Sequence, residues 1–238
     1  MINSLWISKT GMEAQQMQLD VISNNLANVS TNGFKKSHAV FEDLMYQNLR
    51  QVGSNTSEQS TLPTGLQLGL GVRTVATSRS FAQGNLQQSS NNLDVAIQGN
   101  GFFQVTMPDG TTGYTRDGAF QVDNTGRMVT SNGLPILNGI TVPANATSLA
   151  IAQDGNVTAT IPGNVAPQPI GTITLASFIN PAGLEPKGQN IYAESAASGQ
   201  PNAGTAGANG LGTLAQGFVE TSNVNVVEEL VTMIQTQR

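Results

Sequence analysis

Leu5, Met12, Leu19 and Leu26 recur at intervals of seven, and Ile22 and Val29 join them at the alternate three-residue step. Apolar residues so spaced line one seam of a helix. The pattern therefore predicts an amphipathic helix from about Ile2 to Val29, with Gly11 as a weak point inside it. Its polar side carries Gln15, Gln16, Gln18, Asn24 and Asn25 and few charges, a face neutral enough to be buried on more than one side. The helix should end near Val29, because Ser30, Thr31 and Asn32 offer side chains that compete for backbone hydrogen bonds and Gly33 accepts a positive φ. From Phe34 the chain turns extended.

Val40, Phe41, Leu44, Met45, Tyr46 and Leu49 form an apolar patch that reads as a helical turn or two, and the tract GSNTSEQSTLPTG after it reads as a loop or hairpin. In LQLGLGV, Leu66, Leu68, Leu70 and Val72 share one face of a strand whose other face, with Gly69 and Gly71, is nearly bare. A bare face invites a close backbone approach. From about 72 to 217 short alternating runs divided by turn signals have the spacing of a sandwich or irregular barrel. LDVAI, FFQV, GAFQV, SLAIA, NVTAT and ITLASF are the clearest strands. Pro108-Asp109-Gly110, Asp117-Gly118, Asp123 to Gly126 and Asp154-Gly155 read as turns, and SGQPNAGTAGANGLG as a flexible loop. Helical period returns only at the end. Asn225 and Glu228 suit a capping box, ahead of Val226, Val227, Leu230, Met233 and Ile234 on one face. The pattern stops at Arg238 without Gly or Pro, as in an ordered part of a longer chain.

The expected fold is thus mainly β: a β-rich central domain at 73–217, an extended arm with an insert at 31–72, and terminal helices at 1–30 and 218–238. The two helices most economically pair with each other as a coiled coil. Each is marginal alone, the second being close to the length at which isolated helices barely form.

Charged residues are 11% of the chain and the net charge is −5, so the charged, self-repelling surface usual in a soluble monomer is missing. Ten Lys and Arg are outnumbered by fifteen acids and scattered, which leaves no basic stripe for nucleic acid or anionic lipid. There is no Cys, hence no disulfide, thiolate metal site or thiol nucleophile. No apolar run is long enough to span a membrane, and the first residues lack the features of a secretory signal.

Catalytic chemistry finds little support. His38 is the only His, with no nucleophile motif near it. The Asp-Gly pairs lack the spacing of a calcium loop and are what β-turns require. GNGFF starts like a dinucleotide fingerprint but lacks the third Gly. Four Asn-X-Ser/Thr sequons, at Asn28, Asn55, Asn145 and Asn156, are expected by chance in a chain rich in these residues. No catalytic, metal or cofactor residue is assigned. The alternative from another class is a carbohydrate-active β protein using Asp109, Asp117 or Asp123.

SNNLANVSTNGFKKS, with Asn24, Asn25, Asn28, Thr31, Gly33, Phe34 and Lys35, resembles the N-terminal signature of bacterial flagellar rod and hook proteins, Phe34 standing where that family commonly has Tyr. VAIQGNGFFQV with YTRDGAFQVDNTGRMVTSNG resembles the family's central β motif, and QGFVETSNVNVVEELVTMIQTQR its C-terminal helix signature. GSNTSEQSTLPTGLQLGLGVR looks most like the insert of distal-rod members, which hook members lack or shorten; hook or proximal-rod membership is the alternative within the family. Members usually continue the last helix beyond the place where Arg238 stands.

The resemblance implies an axial structural protein, exported unfolded by the flagellar type III apparatus without a cleaved signal. It would assemble helically with its own copies into a hollow drive shaft across the periplasm. Its partners would be proximal rod, hook and surrounding ring proteins, with no nucleic acid or small-molecule substrate. Terminal helices would form an inner tube, the β domain an outer layer, and the insert would supply stiffness. The expected assembly residues are Leu5, Met12, Leu19, Ile22, Leu26 and Val29 in the first helix, Val227, Leu230 and Ile234 in the last, and Leu66, Leu68 and Leu70 in the insert.

Overall fold

The structure is a computed structural model that describes residues 2–52, 55–57, 60–61, 64–163 and 166–237. It is mainly β, with helix α1 at Ile2–Ala27 and helix α2 at Val226–Gln237. Two units divide the chain. One comprises Met1–Leu26, Ser37–Arg79 and Val226–Arg238, the other Ala27–Lys36 and Ser80–Asn225.

The second unit is built around a six-stranded antiparallel sheet. Its order is Glu185–Gly188, Ile191–Ala193, Thr112–Thr115, Phe102–Thr106, Thr174–Ser177 and Asn202–Thr205. Side chains alternate across a strand, so FFQV sends Phe103 and Val105 to one face and Phe102 and Gln104 to the other. Phe103 and Leu175 join Val95, Ile97, Phe120, Ile140, Val157 and Ile173 in the larger core. Phe102, Tyr114, Phe178 and Tyr192 form a second, aromatic core on the opposite face, with rings packed edge to face. A three-stranded sheet, Ser148–Ile151, Asn156–Thr160 and Gln168–Thr172, closes the larger core with Ile151 and Val157.

The strands read from LDVAI, FFQV, GAFQV, SLAIA, NVTAT and ITLASF are all present within a residue or two. Turns stand at Pro108 to Gly110, Asp123 to Gly126 and Asp154-Gly155, where Gly110, Gly126 and Gly155 adopt positive φ. Asp117-Gly118 is different. The Gly118 carbonyl accepts the Val95 N–H, and a Cβ at Gly118 would sit 1.7 Å from the Val95 carbonyl oxygen, so this Gly serves a close approach of two strands of the same chain rather than a turn. The expected flexible loop at 198–212 is also corrected: it holds the strand Asn202–Thr205 and buries Ser198, Ala206 and Leu211. Its small residues permit tight packing.

In the first unit, Ser37–Asp43 pairs antiparallel with Val72–Arg79, and Tyr46–Arg50 with Leu66–Gly69. The apolar patch read as helical turns at 37–49 is thus two strands of a ribbon. Asn55–Ser57 and Ser60–Thr61 pair as a hairpin, as expected for that tract; its Gly53, Ser54, Glu58, Gln59, Leu62 and Pro63 lie outside the described residues. LQLGLGV is not one strand. It breaks at Gly71, whose φ is +121° and whose missing Cβ leaves room for Thr10 of α1. The bare glycine face is where a helix approaches. No helix among the described residues is long and apolar enough to cross a membrane.

Candidate assembly surfaces

The SNNLANVSTNGFKKS stretch serves both units through separate sets of contacts. In the first unit Asn25, 2% exposed, clamps the start of the ribbon: its Oδ1 accepts the Ser37 N–H at 3.0 Å and its Nδ2 donates to the Ser37 carbonyl at 2.8 Å. The same Nδ2 lies 3.4 Å from Glu229 Oε2 of α2, so the two helices meet there. Asn24, by contrast, lies on the exposed side of α1.

In the second unit the helix stop is a built turn. Thr31 donates through its N–H to the Asn28 carbonyl and through Oγ1 to Asn28 Oδ1, and Phe34 N–H reaches the Thr31 carbonyl. Gly33, at φ +70°, donates to the Glu220 carbonyl, and a Cβ would stand 2.7 Å from the Asp117 nitrogen. Phe34 is buried and Lys35 is wholly enclosed. Lys35 Nζ donates to Glu220 Oε1 at 2.5 Å and to the Ala82 carbonyl at 2.8 Å. Glu220 Oε1 also accepts the Gly84 N–H, and its Oε2 accepts Arg116 Nη1 at 3.3 Å. Arg116 Nη2 donates to the Gly99 carbonyl, while its Nε has no partner among the described residues. One buried carboxylate thus serves two buried cations. Burial pushes the Lys35 ammonium below its ordinary range, Glu220 opposes the shift and Arg116 adds to it. Burial likewise lowers Arg116, against Glu220.

The expected assembly residues divide. Ile22 is buried, and Leu19, Leu26, Val29 and Leu70 are half-buried. Leu5, Met12, Leu66, Leu68, Val227, Leu230 and Ile234 are exposed. Periodicity missed others of the same kind: Trp6 and Met17 on α1, Met45, Tyr46, Leu49 and Val52 on or beside the ribbon, and Val231 on α2. Among the described residues, every exposed large hydrophobic side chain except Val122 and Ile179 belongs to the first unit, whereas of the buried hydrophobic residues only Ile22 does. One unit owns a finished core and the other wears its apolar residues outside. Monomeric proteins rarely show such concentration.

The acids considered for sugar chemistry have local duties. Asp109 accepts from the Thr111 N–H and hydroxyl in a hairpin turn, Asp117 accepts the Ala119 N–H, and Asp123 holds its own turn and pairs with Arg127.

Comparison with known proteins yields three matches in chain order. Residues 5–35 match the flagella basal body rod protein family, residues 96–159 the flagellar hook protein FlgE/F/G D1 domain, and residues 215–238 the flagellar basal body rod FlgEFG protein C-terminal family. Flagellar basal-body rod proteins FlgG of two Buchnera aphidicola strains, from Acyrthosiphon pisum and from Schizaphis graminum, are 58% and 59% identical to it over 238 residues, the whole of this chain and 92% of each relative. The chain belongs to the flagellar basal-body rod protein family. The flagellar hook protein FlgE of Helicobacter pylori is 42% identical over 137 residues, covering 57% of this chain and 19% of that protein, so the likeness to the hook is partial where the likeness to the rod is complete.

As a rod-family member the chain is a structural subunit, and the division of its surface acquires a meaning. Within the signature, Asn25 fixes the start of the ribbon in the first unit, and Asn28 to Lys35 form the helix stop and reach the buried ion cluster in the second. Arg116 and Glu220, which complete that cluster, lie outside the stretch that announced it. A sequence signal existed only in that TRDG and FVE each place an ion among residues of strand type.

Proposed function

We propose that the chain is a distal-rod subunit that assembles helically with further copies into a rigid hollow shaft, which transmits torque from the basal body to the hook. The observation that carries this reading is the unit of α1, α2 and ribbon, with most of its large apolar side chains exposed and Ile22 its one buried hydrophobic residue among those described. Burial between copies supplies the core that this unit does not form by itself, and a head-to-tail, non-closing contact makes the product a tube. On this reading the helices pair as a coiled coil in the assembled inner layer and the β unit faces outward. The role is mechanical rather than catalytic. Family membership supports neighbours in the proximal rod, hook and surrounding rings, and export through the flagellar type III route into the periplasm without a cleaved leader.

Val227 and Ile234 are 68% and 64% exposed, so most of each side chain is available for burial between copies. Replacing both with Ser removes about 2–3 kcal/mol of apolar burial per subunit added, on the order of a hundredfold in critical concentration. Sedimentation and electron microscopy of the purified chain should show straight tubes from the wild type and monomer from V227S/I234S at matched concentration. Equal polymerisation of both would overturn the reading. Deleting residues 53–65 should soften or curve the tube; a straight, stiff deletion product would favour a hook or proximal-rod role.

A further inference from the structure

The β unit carries a polar cleft of about 640 Å³ that no contact described above explains. Gln104 and Tyr114 face each other across neighbouring strands and form its floor. Asp109, Glu185, Lys187 and Glu194 stand around them. Tyr114 is 2% exposed and its ring packs edge-on to Phe178 at 4.8 Å. Its phenol oxygen nevertheless makes no hydrogen bond to any described residue. Among the described residues Arg116 Nε is the unpartnered polar side-chain atom sealed from solvent, so the unpartnered phenol oxygen keeps some access to solvent. A polar tip on so deeply buried a side chain ordinarily has a partner, and the free direction is the cleft.

The chemistry of the cleft selects a cation. Lys187 pairs with Glu185 at 3.0 Å and its charge also reaches Asp109, while Glu194 has no ion-pair partner among the described residues. Burial, and then the charge of Glu194, hold the Tyr114 phenol protonated above its ordinary range. Carboxylates, the Gln104 carbonyl and a phenol oxygen make an acceptor-rich site. The aromatic face behind it is packed against Phe178 and offers no stacking platform to a sugar. A guanidinium, with five donors and no acceptor, matches the set.

Among the described residues one such group is in surplus. Lys9 pairs with Glu13, Arg73 with Glu42, Arg127 with Asp123, and Lys35 and Arg116 with Glu220, and Lys36 and Arg79 are engaged. Among the described residues this leaves Arg50, exposed at the end of Tyr46–Arg50 opposite Leu66, without a carboxylate. We propose that the cleft of one subunit receives the Arg50 guanidinium of a second copy, against Glu194 and Asp109 with Tyr114 and Gln104 beneath. The exposed Leu66, paired opposite Arg50, would help exclude water from the pair. The inference rests on the polymer reading above and names one of its lateral contacts.

Charge reversal tests it. R50E and E194R each leave a like-charge encounter and should raise the critical concentration about tenfold, whereas R50E/E194R restores opposite charges and should return it to within about threefold of wild type. Y114F, which removes only the phenol oxygen, should raise it severalfold. Each variant should keep the wild-type circular dichroism and urea midpoint as unassembled chain. Neutral single variants, or a double variant no better than its worse parent, would overturn the contact. A wild-type chain that never polymerises would sink the polymer reading, and this contact with it.

Discussion

Glu220 is the one anion in a buried cluster of two cations, and its replacement by Gln tests whether that charge holds the β unit together. In E220Q the shape is kept, but Lys35 and Arg116 lose their shared counter-charge, and the Gln amide turns one acceptor into a donor facing Lys35 Nζ and the Gly84 N–H or Arg116 Nη1. Stripping the partner from an enclosed ion costs about 3–5 kcal/mol. K35M is the contrast. It removes one of the two cations and leaves Arg116 with Glu220 as a neutral pair. No acceptor is orphaned, because Glu220 Oε1 still receives Gly84 N–H at 2.8 Å and the Ala82 carbonyl still receives Asn223 Nδ2 at 3.1 Å. Its expected cost is about 1 kcal/mol or less, since replacing a buried ion by an apolar group of similar volume is often near neutral. Urea unfolding followed by the near-ultraviolet dichroism of Tyr114 and Tyr192 reads the β unit. At a slope of about 2 kcal/mol per molar, E220Q should lower the midpoint by about 2 M and K35M by about 0.5 M or less. Equal shifts, or a larger one in K35M, would refute the account of Glu220 as common counter-ion.

The same cluster sets a pH dependence. With Lys35 below its ordinary 10.5, the unfolded chain holds more protons between the lowered value and 10.5, so stability should rise with pH across that window; a wild-type rise no greater than that of K35M would contradict it. N25A should expose the Ser37 backbone by removing both clamping hydrogen bonds, at about 1–3 kcal/mol, read as hydrogen exchange at the Ser37 amide faster by about tenfold or more with the β amides unchanged. Trp6, the only Trp, is exposed beside Lys9, whose ammonium lies 5.0 Å from the ring. Assembly should shift its emission to the blue, and tubes with unshifted emission would show that this side of α1 stays wet.

The β unit was legible because burial shows in its sequence: NVTAT alternates with one face buried, and FFQV is a short apolar run buried on both faces. The ribbon at 37–50 was not. Ser37–Asp43 alternates only between half-buried Ser37, Ala39 and Phe41 and exposed His38, Val40 and Glu42, and Tyr46–Arg50 is exposed throughout, so the half-buried face is not simply the apolar one, and Val40, Phe41, Leu44 and Met45 mimic a helical cluster. The segment 198–212 was misread for the opposite reason: Gly and Ala are what a tight edge strand over Leu211 requires, and the same residues make a loose loop elsewhere. The ion cluster was invisible because Lys35 and Glu220 are 185 residues apart and no local pattern encodes a pairing at that range. The exposed Leu5 and Leu230 were legible as helix faces, but what covers them is a property of the assembly and not of local sequence.

Two stripes on α1 sharpen that last point. At about 100° per residue, Leu5 and Met12 lie close together around the helix, whereas Trp6 and Met17 share a second line about 120° away. All four are exposed. A single partner helix covers one seam of roughly that width, so pairing of α1 with α2 alone would leave the other stripe in water. Covering both takes at least two neighbours on different sides. A two-helix dimer does not meet that condition; a closed wall of helices does, because every helix in it has a neighbour on each side. The seven-residue seam by itself is equally compatible with either product. It is the second stripe, together with a polar face poor in charge, that favours the tube.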